Sequence, residues 1–295
     1  MSSAGLLTVR ARLVDGRLRD LAVDLQRPPV ARLFHQQIPE AVVKAVPYLF
    51  TLCAHAQRAA AQAALAAAEN AVRRPVDDAE LWIEMLHESL WRLLLDWPPA
   101  LGLHDARDAF VAWRAARAGS DCLAQTQQVL KAARYLAKDC LARLGDGGAA
   151  PSPQLAPAAW LDYWQGNTDQ RPLPQRPATV GAAYRRRLAE AEAAAAALAD
   201  GAPYPVAAAG GEGWGVGQTL TARGVLTHAV HVDDGRIVAY KVWAPTDALF
   251  ADTQALEHLL GDLPLASPAA ARQALNLAVL ALDPCLPYTL ELQDA

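Results

Sequence analysis

The sequence is poor in cysteine, has no long apolar runs and carries no excess of positive charge. Four cysteines in 295 residues are too few for a disulfide-stabilised scaffold. No long stretch is both apolar and uncharged, and no apolar run with a basic flank begins the chain, so neither a membrane span nor a signal peptide is expected. The net charge of −4 and the scattered basic residues give no footprint for nucleic acid. These absences predict a soluble cytoplasmic protein that binds neither nucleic acid nor membrane.

The patterning predicts an α+β fold that is mainly helical, organised as a single domain over residues 1–295. With 53% hydrophobic residues, the chain can bury a substantial core. A β-hairpin is predicted at residues 1–26, because apolar and polar residues alternate on both sides of the turn-forming pair Asp15-Gly16. Residues 38–145 show consecutive helical patterns with short links, which together indicate a helical bundle. Residues 38–72 are expected to be largely helical, with Pro47 near a first turn or kink, and the next helix is expected to stop at Pro98-Pro99.

The second half of the chain is predicted to be more irregular. Residues 146–215 are rich in proline, with one helix expected over 179–199 and a glycine-rich loop over 210–217. A second hairpin around Asp233-Asp234-Gly235 and a C-terminal helix ended by Pro284 complete the chain over residues 218–295.

Two cysteine-containing segments at opposite ends of the chain each look like half of a metal-binding cysteine pair. One is Leu52-Cys53-Ala54-His55, and the other is Asp283-Pro284-Cys285. A soft metal held by protein thiolates usually needs more than one of them. If folding brings Cys53 and Cys285 together, they form a two-thiolate site with open coordination positions. Such a site suits holding and passing on a metal fragment better than housing a complete catalytic centre.

The first segment resembles a motif in the large subunit of nickel–iron hydrogenases. In that family an N-terminal CxxCxxxH motif and a C-terminal DPCxxCxxH motif supply the cysteines that hold a nickel–iron centre. Residues 50–57 (FTLCAHAQ) occupy the place of the first motif. Phe50 occupies the position of the motif's first cysteine, Cys53 that of its second cysteine, and Gln57 that of its histidine.

Two further segments carry the same resemblance. Residues 283–285 match the start of the second motif, but Tyr288 replaces its second cysteine and Glu291 its histidine. Residues 221–228 (TARGVLTH) resemble the family's APRG…H segment, and Pro245-Thr246 follows in the family's order. The middle of the chain is much shorter than in a true large subunit. This truncated, cysteine-poor pattern is similar to that of maturation proteins of the HupK/HoxV type, which implies a large-subunit-like fold and a role other than catalysis.

The resemblance also implies a cargo, iron carrying two cyanides and one carbonyl, Fe(CN)2CO. Cys53 and Cys285 would anchor the iron, and no nickel is expected because two of the family's cysteines are missing. Cyanide nitrogens accept hydrogen bonds, and Arg223 and Thr246 stand where the family directs donors at them. The full set of cofactor-binding positions implied by the resemblance is Arg223, Thr246, Thr221, Pro245 and Asp283.

The implied partners are a HypC-type chaperone, the HypC–HypD complex as the source of the iron unit, and the apo large subunit as its destination. One alternative is a metal-free interaction module that mimics the large subunit to engage assembly factors. Two others are a quinone-pocket protein, which would need neither cysteine, and a hydrogen-oxidising enzyme, which would need all the ligands of the family.

Several chemistry-bearing residues also have a plain structural interpretation. Cys53 could be a small core residue of an Ala-rich helix, because free cysteine is usually buried. For Asp283, a structural salt bridge is an alternative to a role in the site. His228 is expected to be a structural hydrogen-bonding residue. Core positions are predicted for Cys122, Cys140, Trp82, Trp91 and Trp113, and a solvated surface for Arg185-Arg186-Arg187.

Overall fold

The structure, a computed structural model, describes residues 5–145, 147–148, 152–261 and 263–294. Within these ranges helices predominate and the strands form two small sheets. The α+β, mainly helical prediction is confirmed. In the described part of the chain, no helix is both long and apolar enough to cross a membrane.

The first sheet joins the two ends of the chain. Strands β1 (Leu6–Val14) and β2 (Arg17–Gln26) form the predicted antiparallel hairpin, and both residues of the Asp15-Gly16 turn have positive φ. The last strand, which was not predicted, runs parallel to β1 over Tyr288–Asp294, with Leu7 opposite Tyr288. This pairing places the residues just before the last strand beside the residues just after β2.

Residues 38–72 are largely helical, as predicted, but form two separate helices. A short 3-10 turn (Val30–Phe34) leads into α1 (Pro39–Leu49), and α2 (Ala54–Ala68) follows after a break at residues 50–53. Pro47 lies inside α1, near its end, and removes one backbone donor there. The break is stabilised from outside, because a carboxylate of the next helix accepts the first N–H groups of α2.

The bundle helices continue past the predicted proline stop. Helix α3 (Asp78–Trp91), capped by Asp77, runs through a π-helical turn (Arg92–Asp96) into α4 (Trp97–Ala100), which contains Pro98 and Pro99. Pro98 cannot donate to the carbonyl of Leu94, and the N–H of Ala106 bonds that carbonyl instead at 3.0 Å. The bundle also contains α5 (Arg107–Ala116), α6 (Cys122–Leu144) and α8 (Val180–Ala199), whereas α7 (Pro157–Trp164), which lies between α6 and α8 in the chain, packs on the second sheet. Helix α7 lies within the segment predicted to be irregular.

The second sheet packs closely on α2. Its antiparallel strands, in order, are β3 (Val206–Gly211), β4 (Trp214–Thr221), β5 (Gly224–Asp233) and β6 (Arg236–Trp243). The predicted glycine-rich loop over residues 210–217 is wrong, because these glycines lie mostly in strands. A Cβ at Gly215 would overlap the carbonyl oxygen of Ala64, and one at Gly217 that of Ala60. The glycines therefore let the sheet backbone approach the helix backbone.

The C-terminal part returns the chain to the first sheet. Short helices α9 (Pro245–Leu249) and α10 (Gln254–Leu260) precede α11 (Pro268–Leu282), and the last strand becomes β7 (Tyr288–Asp294). The side chain of Ser267 caps α11 by accepting from the N–H of Ala270. Helices α10 and α11 share a buried apolar cluster with β1, which fixes the end of α11 against the hairpin.

Candidate functional site

The first cysteine-containing segment forms the entry to α2. Cys53 is the residue before the helix, and its side chain makes no capping bond. Glu84 of α3 caps the helix instead, because the N–H groups of His55 and Ala56 donate to its two carboxylate oxygens at 2.8 and 2.9 Å. Burial raises the pKa of Glu84 to about 7, although these two hydrogen bonds act in the opposite direction. The start of α2 is therefore fixed without using the Cys53 sulfur.

The Cys53 thiol lies at one end of a chain of hydrogen bonds. Gln57 Nε2 donates to its Sγ at 3.5 Å, and Gln57 Oε1 lies 2.7 Å from His228 Nε2. The other ring nitrogen of His228 lies 2.7 Å from the Tyr240 hydroxyl. Burial lowers the pKa of His228 to about 3, so the ring is neutral, with Nε2 donating to Gln57 and Nδ1 accepting from Tyr240. Gln57 thus connects the thiol to the second sheet.

The protonation state of Cys53 follows from its surroundings. Burial raises the pKa of the thiol to about 12, and the nearby Glu84 carboxylate and Cys285 sulfur add to this effect. Arg223 and the Gln57 hydrogen bond act against it. The Cys53 thiol is therefore protonated near neutral pH, and it has to lose a proton when its sulfur binds a metal.

The C-terminal motif begins where α11 ends. Asp283 is the C-cap residue and adopts a left-handed conformation with φ of 50°, which turns the chain sharply toward Cys285. The N–H of Cys285 donates to Thr246 Oγ1 at 3.1 Å. Because the Thr246 hydroxyl accepts in this bond, its own proton remains for donation to a further group. Thr246 is buried in the first turn of α9, so the cysteine loop and α9 are fixed to each other.

Arg223 occupies the turn between β4 and β5. Thr221 Oγ1 accepts from the N–H of Arg223 at 3.2 Å and donates to the carbonyl of Gly224 at 3.0 Å, which shapes the turn. The buried side chain of Arg223 donates through Nη2 to Glu88 at 2.9 Å. Its Nε is buried and has no hydrogen-bond partner among the described residues, although Asp283 lies 3.5 Å away.

Asp283 lies at the centre of a buried ionic cluster. Its carboxylate accepts from Arg92 Nε at 2.6 Å and from Arg187 Nη2, with Arg223 as a third guanidinium close by. Burial alone would raise the pKa of Asp283, but the three guanidinium groups outweigh it and hold the pKa well below its usual range. The cluster is therefore ionised under all ordinary conditions. It connects α8 and the turn at Arg92 to the end of α11.

Arg27 is a second arginine beside the C-terminal cysteine. It follows β2 directly, and its Nη2 donates to Cys285 Sγ at 2.8 Å. Its Nε lies 2.7 Å from Asp247 Oδ1 in α9. The parallel pairing of β7 with β1 explains the contact, because this register places the end of β2 and the start of β7 at the same end of the sheet, on either side of β1.

These residues surround one open cavity of about 1030 Å³. Both cysteine residues contribute to its wall, together with several polar residues of the surrounding turns: Arg27, Gln57, Thr221, Arg223, Thr246 and Asp247. Aromatic residues from α7 and β6 form another part of the wall: Tyr163, Trp164 and Trp243. Among the residues that the structure describes, no group of three His, Cys, Asp or Glu side chains is arranged to hold a metal ion by itself. The cavity thus offers two soft sulfur donors and guanidinium donors, which suits a soft metal whose other ligands accept hydrogen bonds.

The sequence-predicted positions divide into two sets. Six of them line the cavity: Cys53, Cys285, Arg223, Thr246, Thr221 and Pro245. Asp283 is not part of the wall, since it lies among the arginines behind Arg223.

Other expectations for single residues need correction. Arg187 was predicted to be surface but is buried, with its Nη2 on Asp283 and its Nη1 on the carbonyl of Ala222. Helical spacing could have identified it, because Arg187 lies four residues from both Ala183 and Ala191 on the buried face of α8. Trp91, predicted to be core, is 40% exposed. Cys140 and Trp113 are fully buried as expected.

The sequence analysis also missed Arg27 and Glu84. No local pattern marks either residue, because each reaches the site through packing between elements distant in sequence.

Comparison with known proteins places this site in context. No family model matches the chain. The hydrogenase expression/formation protein HupK of Azotobacter vinelandii is 31% identical over an alignment that is 348 residues long with its gaps and covers 99% of this chain and 100% of the relative. The hydrogenase expression/formation protein HupV of Azotobacter chroococcum mcd 1 is 29% identical over 342 residues, with the same coverage of each chain.

Solved structures share the fold at low sequence identity. The Ni-Fe-Se hydrogenase of D. vulgaris Hildenborough in its as-isolated oxidised state matches with a TM-score of 0.62 and 13% identity, over 92% of this chain and 94% of that chain. An NAD+-reducing nickel–iron hydrogenase matches with a TM-score of 0.57 and 15% identity, over 92% and 93%. The predicted large-subunit-like fold is therefore confirmed. Because this chain and the A. vinelandii relative align from end to end at 31% identity, the chain belongs to the HupK family of hydrogenase expression/formation proteins.

Proposed function

We propose that this protein takes part in hydrogenase maturation as a non-catalytic scaffold that binds and relays an Fe(CN)2CO unit. The unit would arrive from a HypC-type chaperone or the HypC–HypD complex and leave for the apo large subunit. The proposal draws on the names of the relatives, which are hydrogenase expression/formation proteins, and on the resemblance of the motifs. A cytoplasmic location fits this role.

The observation that carries the proposal is the shared cavity. Cys53 and Cys285 come from opposite ends of the chain and line the same space, with Arg223 and Thr246 in the same wall. Cys53 approaches from the start of α2 and Cys285 from the loop after α11, so that two otherwise unrelated elements each supply one sulfur.

The chain's residues would handle the cargo in two ways. Each sulfur can form one bond to iron, and each thiol loses its proton as that bond forms. Arg223 and Thr246 line the cavity and can donate to cyanide nitrogens, and the hydroxyl of Thr246 retains its proton. With two sulfurs in place of the family's larger set, coordination positions stay open, which allows the iron unit to be handed on. We propose no nickel in this site.

Infrared spectroscopy tests the proposal. The protein is produced together with the hydrogenase maturation machinery and purified anaerobically, and the stretching bands of metal-bound cyanide and carbonyl are recorded. The wild type should show these bands, and both Cys53→Ala and Cys285→Ala should weaken them. Cys122→Ala is a matched control, since that cysteine is also partly exposed but lies at the start of α6, away from the cavity. Bands that persist unchanged in both site variants would refute the ligand assignment.

A metal-free interaction module is the second candidate. Exposed apolar side chains adjoin the cavity, notably Tyr48, which is 85% exposed and also borders a smaller apolar cavity next to Leu33. Such side chains on a surface are typical of protein contact sites. This function predicts that binding to a HypC-type chaperone, measured by calorimetry, is unaffected when both site cysteines are replaced by alanine. Under the scaffold proposal, the double variant retains no iron unit.

A further inference from the structure

Arg27 contacts two side chains of the cavity wall. Its guanidinium contacts the Cys285 sulfur at 2.8 Å through Nη2 and the Asp247 carboxylate at 2.7 Å through Nε. The planar fork of arginine allows both contacts at once, which a lysine ammonium on a flexible stem does not reproduce. Burial would lower the pKa of Arg27, but Cys285 and Asp247 outweigh it, and the net shift is upward. Arg27 is therefore a fixed positive charge in the cavity wall.

This arrangement affects a bare metal ion and a ligated one differently. A bare divalent ion needs several protein donors, and it would find Asp247 and one face of the Cys285 sulfur already occupied. It would also bring two positive charges close to Arg27 and Arg223. Iron(II) carrying two cyanides and one carbonyl has no net charge and brings three ligands of its own. A thiolate sulfur that accepts a hydrogen bond can still bind one metal ion. Hydrogen bonds from surrounding residues to metal-bound sulfur are common.

We propose that Arg27 is a specificity-determining residue that keeps bare divalent ions, such as nickel and zinc, out of the cavity while leaving both sulfurs available to a metal that arrives with its own ligands. This inference rests on the proposed function. It adds that the cavity selects a metal by its net charge and by the number of ligands that the metal brings. This selection depends on a residue outside the cysteine motifs.

Cobalt(II) titration of the purified, reduced, metal-free protein tests the inference. Binding of cobalt by thiolates produces a charge-transfer absorption, so the readout reports the sulfurs directly and needs no iron cargo. The wild type should show little of this absorption. Arg27→Gln removes the charge and should tighten cobalt binding about tenfold or more, and adding Cys285→Ala should abolish the gain. Arg10→Gln is the matched control, because Arg10 is exposed on the neighbouring strand β1.

Two outcomes decide against the inference. Strong thiolate–cobalt absorption in the wild type would overturn the inference. This measurement needs no variant, so the inference can be tested even if the Arg27→Gln protein folds poorly. Equal cobalt affinity in a folded Arg27→Gln protein and the wild type would also overturn it. Arg27→Lys keeps the charge but not the planar fork, so its cobalt affinity should lie between those of the wild type and Arg27→Gln. Because infrared bands are measured on cargo-loaded protein and cobalt binding on metal-free protein, loss of the iron proposal and loss of the Arg27 inference are separate results.

Discussion

Replacing Asp283 with asparagine should destabilise the protein strongly, because this carboxylate is shared by three buried guanidinium groups. Arg92 and Arg187 donate to it directly, and Arg223 lies 3.5 Å away. Asparagine has nearly the same shape, so the substitution removes the negative charge and leaves the packing almost unchanged. The arginines then remain buried with less compensation.

The expected magnitude follows from the burial of the cluster. The side chains of Asp283, Arg187 and Arg223 are each only 5% exposed, so solvent screens the loss very little. Removing one partner of a buried ion pair typically costs about 3–5 kcal/mol. A domain is stable by only about 5–15 kcal/mol, so Asp283→Asn should remove a large part of the free energy of unfolding. Asp20→Asn is the control, because Asp20 and its partner Arg12 are exposed and such a pair contributes at most about 1 kcal/mol.

Urea unfolding followed by circular dichroism measures both variants. The pH dependence gives an independent check with a defined sign. Since the pKa of Asp283 is depressed in the folded state, its stabilisation is present above the ordinary carboxyl pKa and is lost as the pH falls below it. Asp283→Asn should therefore flatten the loss of stability in acid. A cost below about 1 kcal/mol at pH 7, or an unchanged acid dependence, would show that the cluster does not stabilise the end of α11.

Two further predictions concern residues that contact α2. The pKa of Glu84 is raised to about 7, so its contribution is fully present below the ordinary carboxyl pKa and is lost as the pH rises through 7; Glu84→Gln should flatten this part of the stability profile, which amounts to about 3 kcal/mol. An unchanged urea midpoint profile from pH 4 to pH 8 would contradict that. Gly217→Ala should lower the free energy of unfolding by at least about 2 kcal/mol, because its Cβ would overlap the carbonyl oxygen of Ala60. Gly235→Ala, in an open turn, should cost only about 1 kcal/mol for its positive φ, and equal losses would argue against the close contact.

Local patterns in the sequence identified most elements, and their failures share a physical cause. The first hairpin was predictable because alternation and the Asp15-Gly16 turn are properties of adjacent residues. The strand at Tyr288–Asp294 was not predicted, because it exists only by pairing in parallel with β1 at the other end of the chain. The glycines of β4 indicated a loop for a similar reason. They allow close contact with α2, and adjacent residues in the sequence do not reveal that contact.

The site was predictable to the extent that its residues lie in recognisable motifs. Cys53, Cys285 and Arg223 were named from motif positions, and they line one cavity. Arg27 depends on the register between β2, β1 and β7, which no local signal reveals. Arg187 had a detectable signal in its helical phase, but the run of three arginines suggested a solvated surface instead.

The positions of the two cysteines make the scaffold proposal testable without disturbing the fold. Cys53 precedes α2 without capping it, because Glu84 performs that task, and Cys285 lies in the loop between α11 and β7. Both are only partly buried, so their replacement by alanine creates no large cavity in the core. Much of the buried charge that holds this region together belongs to Asp283, Arg92 and Arg187, which lie outside the cavity wall. Alanine at either cysteine should therefore remove a metal ligand while leaving the urea midpoint close to that of the wild type. A loss of infrared bands accompanied by such an unchanged midpoint can only be assigned to the sulfur.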